Sequence, residues 1–326
     1  MTYDFALAGN MILDTVKYID RLPEKLELVA IRGMEQQPGG LVPNVGRVLA
    51  RLMPRSRIAA IGRVGEDGAA DVLLKMLSEY PALDLSMVKK SGVTSFMDVM
   101  TISATGERTF FTYKGADGQL TPEDVPYEAL RGAILHMGYA LLMEQMDAPD
   151  PEYGTRLARA LATAQAHGVV TSVDCVSESG GRYESIVVPA IRYADIATFN
   201  ETEAAGITGV ALRDGRLLTE RLPEALRILR GMGARKWAVI HAPEGAAGLD
   251  PEGNYVFVPS LRLPKGFIKS SVGAGDAFAA GLLAGAKRDL PLPDALALGN
   301  GTAAAHMSEG GVKSYEDTLR IMEQYR

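Results

Sequence analysis

The segment KSSVGAGDAFAAGLLAGAKR, residues 269–288, sets three small residues and one carboxylate in front of a long apolar stretch. Gly273, Ala274 and Gly275 form the turn, and Asp276 follows directly. A glycine-rich turn that enters a helix leaves backbone N–H groups unpaired, with the positive end of the helix dipole behind them. Such a turn binds anions, most commonly phosphate. The segment therefore predicts a phosphate-binding turn at the start of a buried helix.

Asp276 needs a chemical explanation, because a carboxylate next to a bound phosphate is repelled by it. An aspartate at this place can accept the proton of an attacking hydroxyl while the N–H groups hold the charge that develops on the phosphoryl oxygens. The alternative is that Asp276 only caps the helix and the glycines only permit close packing, since aspartate is a favoured capping residue. This segment alone leaves both interpretations open.

Other kinds of site fit the sequence poorly. The dinucleotide fingerprint G-x-G-x-x-G would need glycine where Phe278 stands, and the dipeptide Gly-Lys of a Walker A loop occurs nowhere. The four histidines form no H-E-x-x-H motif, so no zinc site is expected. They are scattered along the chain, at His136, His167, His241 and His306.

Composition limits the partners. The 326 residues are 47% hydrophobic and 23% charged, the balance of a globular protein. A net charge of -6 argues against nucleic acid or an anionic membrane, and no apolar run reaches the roughly 20 residues of a membrane span. The single cysteine, Cys175, cannot form an internal disulfide, and the first residues lack the basic region of a secretion signal. We therefore expect a cytoplasmic protein that acts on a small solute.

Segments with strand and helix patterns alternate along most of the chain. Strands are predicted at residues 5–8, 57–65, 132–140, 168–175, 194–200 and 236–242. Helices are predicted between and after them, at residues 44–52, 67–77, 153–167, 182–192 and 223–232 and in the opening segment. Such alternation is typical of parallel strands joined by helical crossovers, which gives a sheet between two layers of helices.

Two segments break this alternation. Residues 15–38 have no clear helical period, and residues 93–115 have the pattern of a hairpin that turns at residues 104–106. The first strand of this hairpin is apolar on both sides, with Phe96, Met100 and Ile102 on one and Met97 and Val99 on the other. We therefore expect a small sheet with both faces covered, one over a ligand or the core and one against a second subunit. Burial in the main core is the alternative.

Several motifs together resemble those of ribokinase-like carbohydrate kinases, the PfkB family. SSVGAGDAF, residues 270–278, is similar to the family's C-terminal motif D-T-x-G-A-G-D. PGGLVPN, residues 38–44, resembles its motif G-G-x-x-x-N, and IGRVGEDG, residues 61–68, its I-G-x-V-G-x-D segment. NETEAAGITG, residues 200–209, resembles the N-x-x-E motif, and GERTFFTYKGA, residues 106–116, the lid strand. These motifs follow the family order from about residue 5 to residue 311.

The resemblance implies an α/β fold with a ribokinase-like three-layer α/β/α core, a mostly parallel sheet and a small β-sheet lid. Residues 1–13, 39–92 and 116–326 would form the core, which carries the nucleotide and catalytic sites. Residues 14–38 and 93–115 would form the lid over the sugar site.

The resemblance also assigns the acceptor site, where Asn10, Asp14, Gly39, Gly40 and Asn44 would touch the sugar. The residue types suit this role, because amide and carboxylate groups bind hydroxyls and paired glycines let the backbone approach a ligand closely. Asn10 and Asp14 have an alternative interpretation as turn and cap residues.

By the same resemblance, Asp276 would be the catalytic base, and Gly273, Ala274 and Gly275 would form the anion hole for the transferred phosphoryl group. The implied co-substrate and metal are ATP and Mg²⁺. Four residues would bind them: Asn200, Glu203, Ser271 and Gly245. Glu203 would hold the metal through water, because Mg²⁺ gives up its hydration reluctantly. Asn200 and Glu203 could instead form an ordinary helix cap.

The sequence departs from the family pattern at three places. Ser270 and Ser271 replace the Asp-Thr pair of the C-terminal motif, which argues against activation by a monovalent cation such as potassium. Pro243 follows a late strand, at a position where an N–H group could have met a phosphate. Asp174 matches only the first position of a D-x-N segment, so it receives no role.

The expected function is therefore an ATP-dependent kinase of a sugar or sugar-like polyol that forms a homodimer through the lid. A nucleoside kinase of the same fold is an alternative, and it would need an apolar shelf for the base, for which Phe96, Met97 and Phe111 are candidates. A sugar-binding or regulatory protein that has lost turnover is another, because fold alone does not establish function.

Overall fold

A computed structural model describes residues 2–309 and 311–326 of the chain. Its main sheet contains nine strands: β1 (Phe5–Gly9), β4 (Ile58–Ile61), β6 (Leu83–Asp84), β10 (Ile134–Ala140), β13 (Val170–Cys175), β14 (Ile196–Asn200), β17 (Trp237–Ala242), β18 (Gly245–Leu249) and β19 (Tyr255–Pro259). The strand order is β19-β18-β17-β14-β13-β10-β1-β4-β6. The sheet is parallel from β6 to β17, and β18 pairs antiparallel with both β17 and β19, so β18 alone runs against the direction of the other eight strands.

Helices cover both faces of this sheet. They are α1 (Leu41–Leu52), α2 (Gly68–Ser78), α3 (Glu144–Asp147), α4 (Arg156–Ala166), α5 (Val188–Ile191), α6 (Glu201–Thr208), α7 (Leu222–Met232), α8 (Ala274–Lys287), α9 (Leu292–Met307) and α10 (Tyr315–Tyr325). The side chains of β1 show the layering, because Phe5 and Leu7 belong to one hydrophobic cluster and Ala6 and Ala8 to the other. The predicted three-layer fold with a mostly parallel sheet is confirmed.

Helix α8 carries the segment that opened the sequence analysis, and it is buried along most of its length. Its glycines allow α9 to come close. A Cβ on Gly281 would lie 2.8 Å from the carbonyl oxygen of Leu298, and one on Gly285 would lie 2.9 Å from the Cα of Ala295. The small residues therefore serve helix packing in the core. Among the residues described, no helix combines the length and the apolar character that crossing a membrane requires.

The two segments that break the alternation meet in a second sheet of four strands, β2 (Ile12–Ile19), β3 (Ile31–Gly39), β8 (Phe96–Ile102) and β9 (Arg108–Tyr113). The order is β3-β2-β8-β9, and β8 and β9 form the predicted antiparallel hairpin. The alternative that β8 lies in the main core is wrong, because β8 pairs with β2 and β9. Two-residue strands form three further pairs: β5 (Arg63–Val64) with β7 (Lys89–Lys90), β11 (Pro149–Asp150) with β12 (Gly154–Thr155), and β15 (Arg213–Asp214) with β16 (Arg216–Leu217).

One face of the four-stranded sheet is buried along β2, at Leu13 and Ile19, and carries exposed apolar side chains on the other strands. The strand pairing puts four exposed apolar side chains on the same face, which we call the outer aromatic face: Met34, Phe96, Phe111 and Tyr113. Phe111 is 54% exposed and Phe96 is 37% exposed. Met97 lies on the opposite face, where Asp14 is its neighbour. The suggested apolar shelf is therefore wrong, since its three residues do not share one face.

Two helix predictions need correction. The helix predicted at residues 153–167 begins at Arg156, because Gly154 and Thr155 form β12 and Thr155 caps the helix. The helix predicted at residues 182–192 consists of a π-helical turn, Tyr183–Val187, followed by the short α5. Pro189 lies in this segment and has no N–H group to donate, which interrupts a regular helix.

Candidate active site

Asp276 lies in the first turn of α8 and is 9% exposed. Gly273 precedes the helix with φ 75°, a left-handed conformation that glycine adopts readily. The N–H groups at the start of a helix have no acceptor within the helix, and the dipole of these 14 residues adds positive potential there. Asp276 therefore lies beside a turn that favours anions, as the sequence predicted.

Two side chains donate hydrogen bonds to the Asp276 carboxylate. The Tyr139 hydroxyl lies 2.7 Å from Oδ1 and 2.8 Å from Oδ2, and Asn44 Nδ2 lies 3.1 Å from Oδ2. Burial raises the pKa of Asp276 to about 7, the negative charge of Asp174 raises it as well, and the two hydrogen bonds oppose the rise. A carboxylate with this pKa is poised to accept a proton near neutral pH.

Arg47 fixes the orientation of the Asn44 side chain. Arg47 Nη2 donates to Asn44 Oδ1 over 3.2 Å, and Arg47 Nε donates to the carbonyl oxygen of Pro43. Because the amide oxygen of Asn44 is engaged in this way, its Nδ2 points to Asp276. Arg47 therefore orients a side chain that contacts Asp276 without itself bonding to Asp276.

Asn10 joins the end of β1 to the neighbouring strand. Asn10 Nδ2 donates to Asp117 Oδ2 over 2.8 Å, and Asn10 Oδ1 accepts from the backbone N–H of Tyr139 over 3.3 Å. Asp117 also accepts from Ser95 Oγ over 2.5 Å. This buried network fixes the backbone of Tyr139 next to Asp276.

Asp14 lies over the paired glycines. A Cβ on Gly39 would lie 2.3 Å from Asp14 Oδ2, and one on Gly40, whose φ is 86°, would lie 2.5 Å from the carbonyl oxygen of Asn10. A side chain at residue 40 would clash with the backbone, and one at residue 39 would displace the Asp14 carboxylate. Burial raises the pKa of Asp14 to about 6, and nearby Arg47 opposes the rise. Asp14 Oδ1 has no hydrogen-bond partner within residues 2–309 and 311–326, so this buried oxygen is available to a ligand.

Two adjoining cavities meet at the turn before α8. The smaller, of about 250 Å³, is lined by Tyr139, Asp174, Asn200, Glu203 and residues 273–276, among others. The larger, of about 660 Å³, has apolar walls that include Leu261, Leu263, Ile268, Phe278 and Met307. The two cavities share His241, Ser271 and Asn200. A polar chamber thus opens beside an apolar one of a size that suits a small organic ligand.

Asn200 and Glu203 form a closed capping box at the start of α6. Asn200 Oδ1 accepts from the N–H of Glu203 over 2.9 Å, and Glu203 Oε2 accepts from the N–H of Asn200 over 2.9 Å. Glu203 Oε1 accepts from Asn200 Nδ2 and from Ser177 Oγ. Burial raises the pKa of Glu203 to about 7. The capping role proposed as the alternative is therefore present, and the same two side chains line the smaller cavity.

The oxygen donors around the smaller cavity fit a hydrated Mg²⁺. Asp174, Glu203 and Asp276 all line it, but within residues 2–309 and 311–326 no three acidic, histidine or cysteine side chains are grouped closely enough to hold a metal ion directly. Mg²⁺ would therefore be held there through its own water molecules. Both oxygens of Glu203 already accept hydrogen bonds, which suits contact through water. The buried Asp174 Oδ1 has no hydrogen-bond partner among the described residues.

The predicted nucleotide residues do not all lie together. Ser271 lines both cavities, and Pro243 lines the larger. Gly245 begins β18, where a Cβ would lie 2.5 Å from the carbonyl oxygen of Val258. Gly245 lines neither cavity in the part of the chain that the structure describes. The close approach of β19 explains why residue 245 is a glycine.

The sequence analysis missed Tyr139 and Asp117 and gave Asp174 no role. Asp174 Oδ2 lies 3.5 Å from Nε2 of the buried His136. His241 stacks on Phe278 at 4.7 Å, and burial lowers its pKa to about 4.

His306 Nε2 lies 3.1 Å from the carbonyl oxygen of Val272. His136, His241 and His306, three of the four scattered histidines, thus lie around the turn before α8 and Asp276. A usable signal was the position of Tyr139 at the carboxyl end of a predicted parallel strand, where ligands bind in such sheets.

The sequence model of the pfkB family carbohydrate kinases matches residues 5–319. Among characterised proteins, an ATP-dependent ribose-1-phosphate kinase of Halopiger xanaduensis is 29% identical over 309 residues, which are 94% of this chain and 93% of that protein. A cytidine kinase of Thermococcus kodakarensis is 26% identical, with 91% of this chain and 93% of that protein covered.

A solved structure of Arabidopsis thaliana ribokinase, complexed with ribose and ATP, has the same fold. It superimposes with a TM-score of 0.78 at 18% identity and covers 99% of both chains. This likeness confirms the ribokinase-like fold, and the family match extends over nearly the whole sequence.

Proposed function

The chain belongs to the pfkB family of carbohydrate kinases, and we propose that it transfers the terminal phosphoryl group of ATP to a hydroxyl of a sugar or sugar-like polyol. The observation that carries this proposal is the place of Asp276, a buried carboxylate with a pKa of about 7 at the start of α8. A base that titrates near neutrality beside an anion-binding turn suits phosphoryl transfer to an alcohol.

The proposed chemistry has one transfer step. The acceptor oxygen bonds to the terminal phosphorus, the bond from that phosphorus to the oxygen of ADP breaks, and the acceptor proton passes to Asp276. Gly273, Ala274 and Gly275 hold the charge on the phosphoryl oxygens through backbone N–H groups. General base catalysis of this kind contributes roughly 10²–10⁴-fold to the rate.

The acceptor is proposed to bind at Asn10, Asp14, Gly39, Gly40 and Asn44. Three observations support this site. Asp14 Oδ1 is buried and unpaired among the described residues, the two glycines leave no space for a side chain, and Asn44 contacts the base directly. An acceptor hydroxyl bound by Asn44 would lie within reach of Asp276.

ATP is the proposed donor, with its phosphates in the smaller cavity and its base in the larger. Asn200, Glu203 and Ser271 line the smaller cavity beside the anion-binding turn. When bound, Mg²⁺ would neutralise charge on the phosphates, and Glu203 would hold it through water. Gly245 is given no part in ATP binding, because it lines neither cavity among the described residues.

The acceptor class is the next part of the proposal. One relative is named for ribose 1-phosphate and another for cytidine. We propose a sugar rather than a nucleoside because two of the three proposed shelf residues, Phe96 and Phe111, lie on the opposite face of the four-stranded sheet from Asp14, which leaves Met97 and Phe110 on the Asp14 face. The four-stranded sheet would then act as the lid over the sugar.

The outer aromatic face supports a homodimer formed through this sheet. Phe96 stacks on Tyr113, and Phe111 lies next to them on the same face, so these three exposed aromatic side chains form one patch. Exposed apolar patches of this kind mark association sites. A second copy of the chain is the proposed partner.

The test of the proposed function is ADP release with Mg-ATP and a panel of pentoses, hexoses, ketoses, sugar acids, polyols, ribose 1-phosphate and nucleosides. Turnover with one sugar or polyol, with the product identified by phosphorus NMR, supports the proposal. Turnover with a nucleoside alone supports the nucleoside kinase instead. Thermal stabilisation by a sugar without any turnover supports a binding protein that has lost catalysis.

A further inference from the structure

We propose that the phenol of Tyr139 keeps water off the catalytic carboxylate until an acceptor hydroxyl takes its place. The inference rests on the proposed function and adds a role for a residue that this function does not use. In this role Tyr139 protects ATP from hydrolysis when the acceptor site is empty.

The first support is the position of the phenol on the base. The Tyr139 hydroxyl reaches both oxygens of Asp276, at 2.7 Å and 2.8 Å. Because the two distances are nearly equal, the hydroxyl lies between the two carboxylate oxygens, on the edge of the carboxylate that faces away from its own side chain; we call this the open edge. Asn44 Nδ2 takes a further position on Oδ2. A water molecule or a substrate hydroxyl can therefore use the open edge only if it replaces the phenol.

The second support is how Tyr139 is held. Its backbone N–H donates to Asn10 Oδ1 over 3.3 Å, and Asn44 Nδ2 approaches its hydroxyl at 3.4 Å. Asn10 and Asn44 are the two amides of the proposed acceptor site. A polyol that binds these amides competes for the groups that hold Tyr139, so acceptor binding and release of the phenol are coupled.

The third support is the protonation state of the phenol. Burial and the adjacent Asp276 carboxylate raise the pKa of Tyr139 well above its ordinary value. The hydroxyl therefore stays protonated and acts as a hydrogen-bond donor. Its ring packs against the hydrophobic cluster that contains α8, which favours one position for the side chain.

Water is the competitor that such an arrangement excludes. In the side reaction a water oxygen bonds to the terminal phosphorus, the bond to ADP breaks, and a water proton passes to Asp276. The products are ADP and inorganic phosphate. This reaction needs the same base and the same anion hole as the transfer to an acceptor, so only access to Asp276 separates them.

The experiment compares the natural chain with Tyr139→Phe, which keeps the ring and removes the hydroxyl. A buried carboxylate that loses a donor recruits water in its place. For each protein we divide the rate of Mg-ATP hydrolysis without acceptor by the rate of acceptor phosphorylation. We expect this ratio to be roughly fivefold to tenfold higher in Tyr139→Phe than in the natural chain, because water no longer has to displace one hydrogen bond to reach Asp276. Inorganic phosphate and ADP are both measured.

Two further variants make the result specific. Tyr127→Phe is the matched control, because Tyr127 also donates one hydrogen bond, 2.9 Å to the carbonyl oxygen of Pro122, and touches no site residue named above. This control should leave the ratio unchanged. Adding Asp276→Asn to Tyr139→Phe should remove the extra hydrolysis, because the water then lacks its base.

The outcomes separate this inference from the proposed function. An increased ratio of hydrolysis to acceptor phosphorylation in Tyr139→Phe that depends on Asp276 supports the gate. A working kinase whose Tyr139→Phe variant keeps the natural ratio, with an unchanged melting temperature, overturns the gate alone. Absence of ADP release from both proteins with every acceptor overturns the proposed function and the gate together.

Discussion

The carboxylate of Asp14 rests on the backbone of Gly39, so close that a Cβ at residue 39 would lie 2.3 Å from Asp14 Oδ2. The two residues come from adjacent strands, β2 and β3, of the four-stranded sheet. This contact places a buried, partly unpaired carboxylate at the proposed acceptor site.

Gly39→Ala should therefore weaken acceptor binding. The added methyl must push Asp14 away from its present position, so we expect KM for the acceptor to rise at least about tenfold, while KM for ATP changes little. Steady-state kinetics with each substrate varied in turn measure both constants. Gly231→Ala is the control, because a Cβ there meets no atom within 4 Å. An unchanged acceptor KM would contradict the assignment of Asp14.

The activity should depend on pH through Asp276. The base works only when ionised, and its folded-state pKa is about 7, so kcat/KM should rise with pH and level off above about 8. The groups that face Asp276 are Tyr139, Asn44, Asp174 and His136. A pH profile measured under constant ionic strength tests this. Activity that is already maximal at pH 5 would contradict a base with a raised pKa.

Asp174→Asn should move this profile to lower pH. The negative charge of Asp174 raises the pKa of Asp276, so its removal makes Asp276 easier to ionise. The asparagine keeps the size of the side chain. We expect the midpoint of kcat/KM to fall by several tenths of a pH unit or more. A midpoint that stays in place or rises would show that Asp174 does not act on Asp276 through its charge.

The outer aromatic face gives a prediction about assembly. Phe111→Glu puts a charge on this face and should shift the protein from dimer to monomer in sedimentation experiments. Phe110→Glu is the matched control, because Phe110 is 59% exposed but lies on the other face of the same strand. A natural chain that is monomeric at all concentrations would contradict the proposed dimer.

Local pattern was enough to predict most of the fold. Buried parallel strands such as β1 are continuously apolar, and the glycines before α8 indicate an anion-binding turn. Both features could therefore be recognised from short segments. The exact ends of α4 and the π-helical turn before α5 could not, since they depend on capping by Thr155 and on packing around Pro189.

The partners of Asp276 were beyond local pattern. Tyr139 is 137 residues away in sequence and Asn44 is 232 residues away. Their meeting depends on the pairing of β1 with β10, which brings Gly138 beside Gly9, and on the packing of α1 against α8. Sequence motifs led to Asn44, whereas Tyr139 belongs to no motif and was signalled only by its position at the carboxyl end of a predicted parallel strand.

The most direct test of the central claim is the rate of ADP release by Asp276→Asn, compared with the natural chain, with Mg-ATP and the best acceptor of the panel. Nucleotide binding is measured in parallel by titration calorimetry. The account predicts that turnover falls by roughly 10²-fold or more while the affinity for Mg-ATP stays within about twofold. Full turnover in this variant would show that Asp276 is not the base.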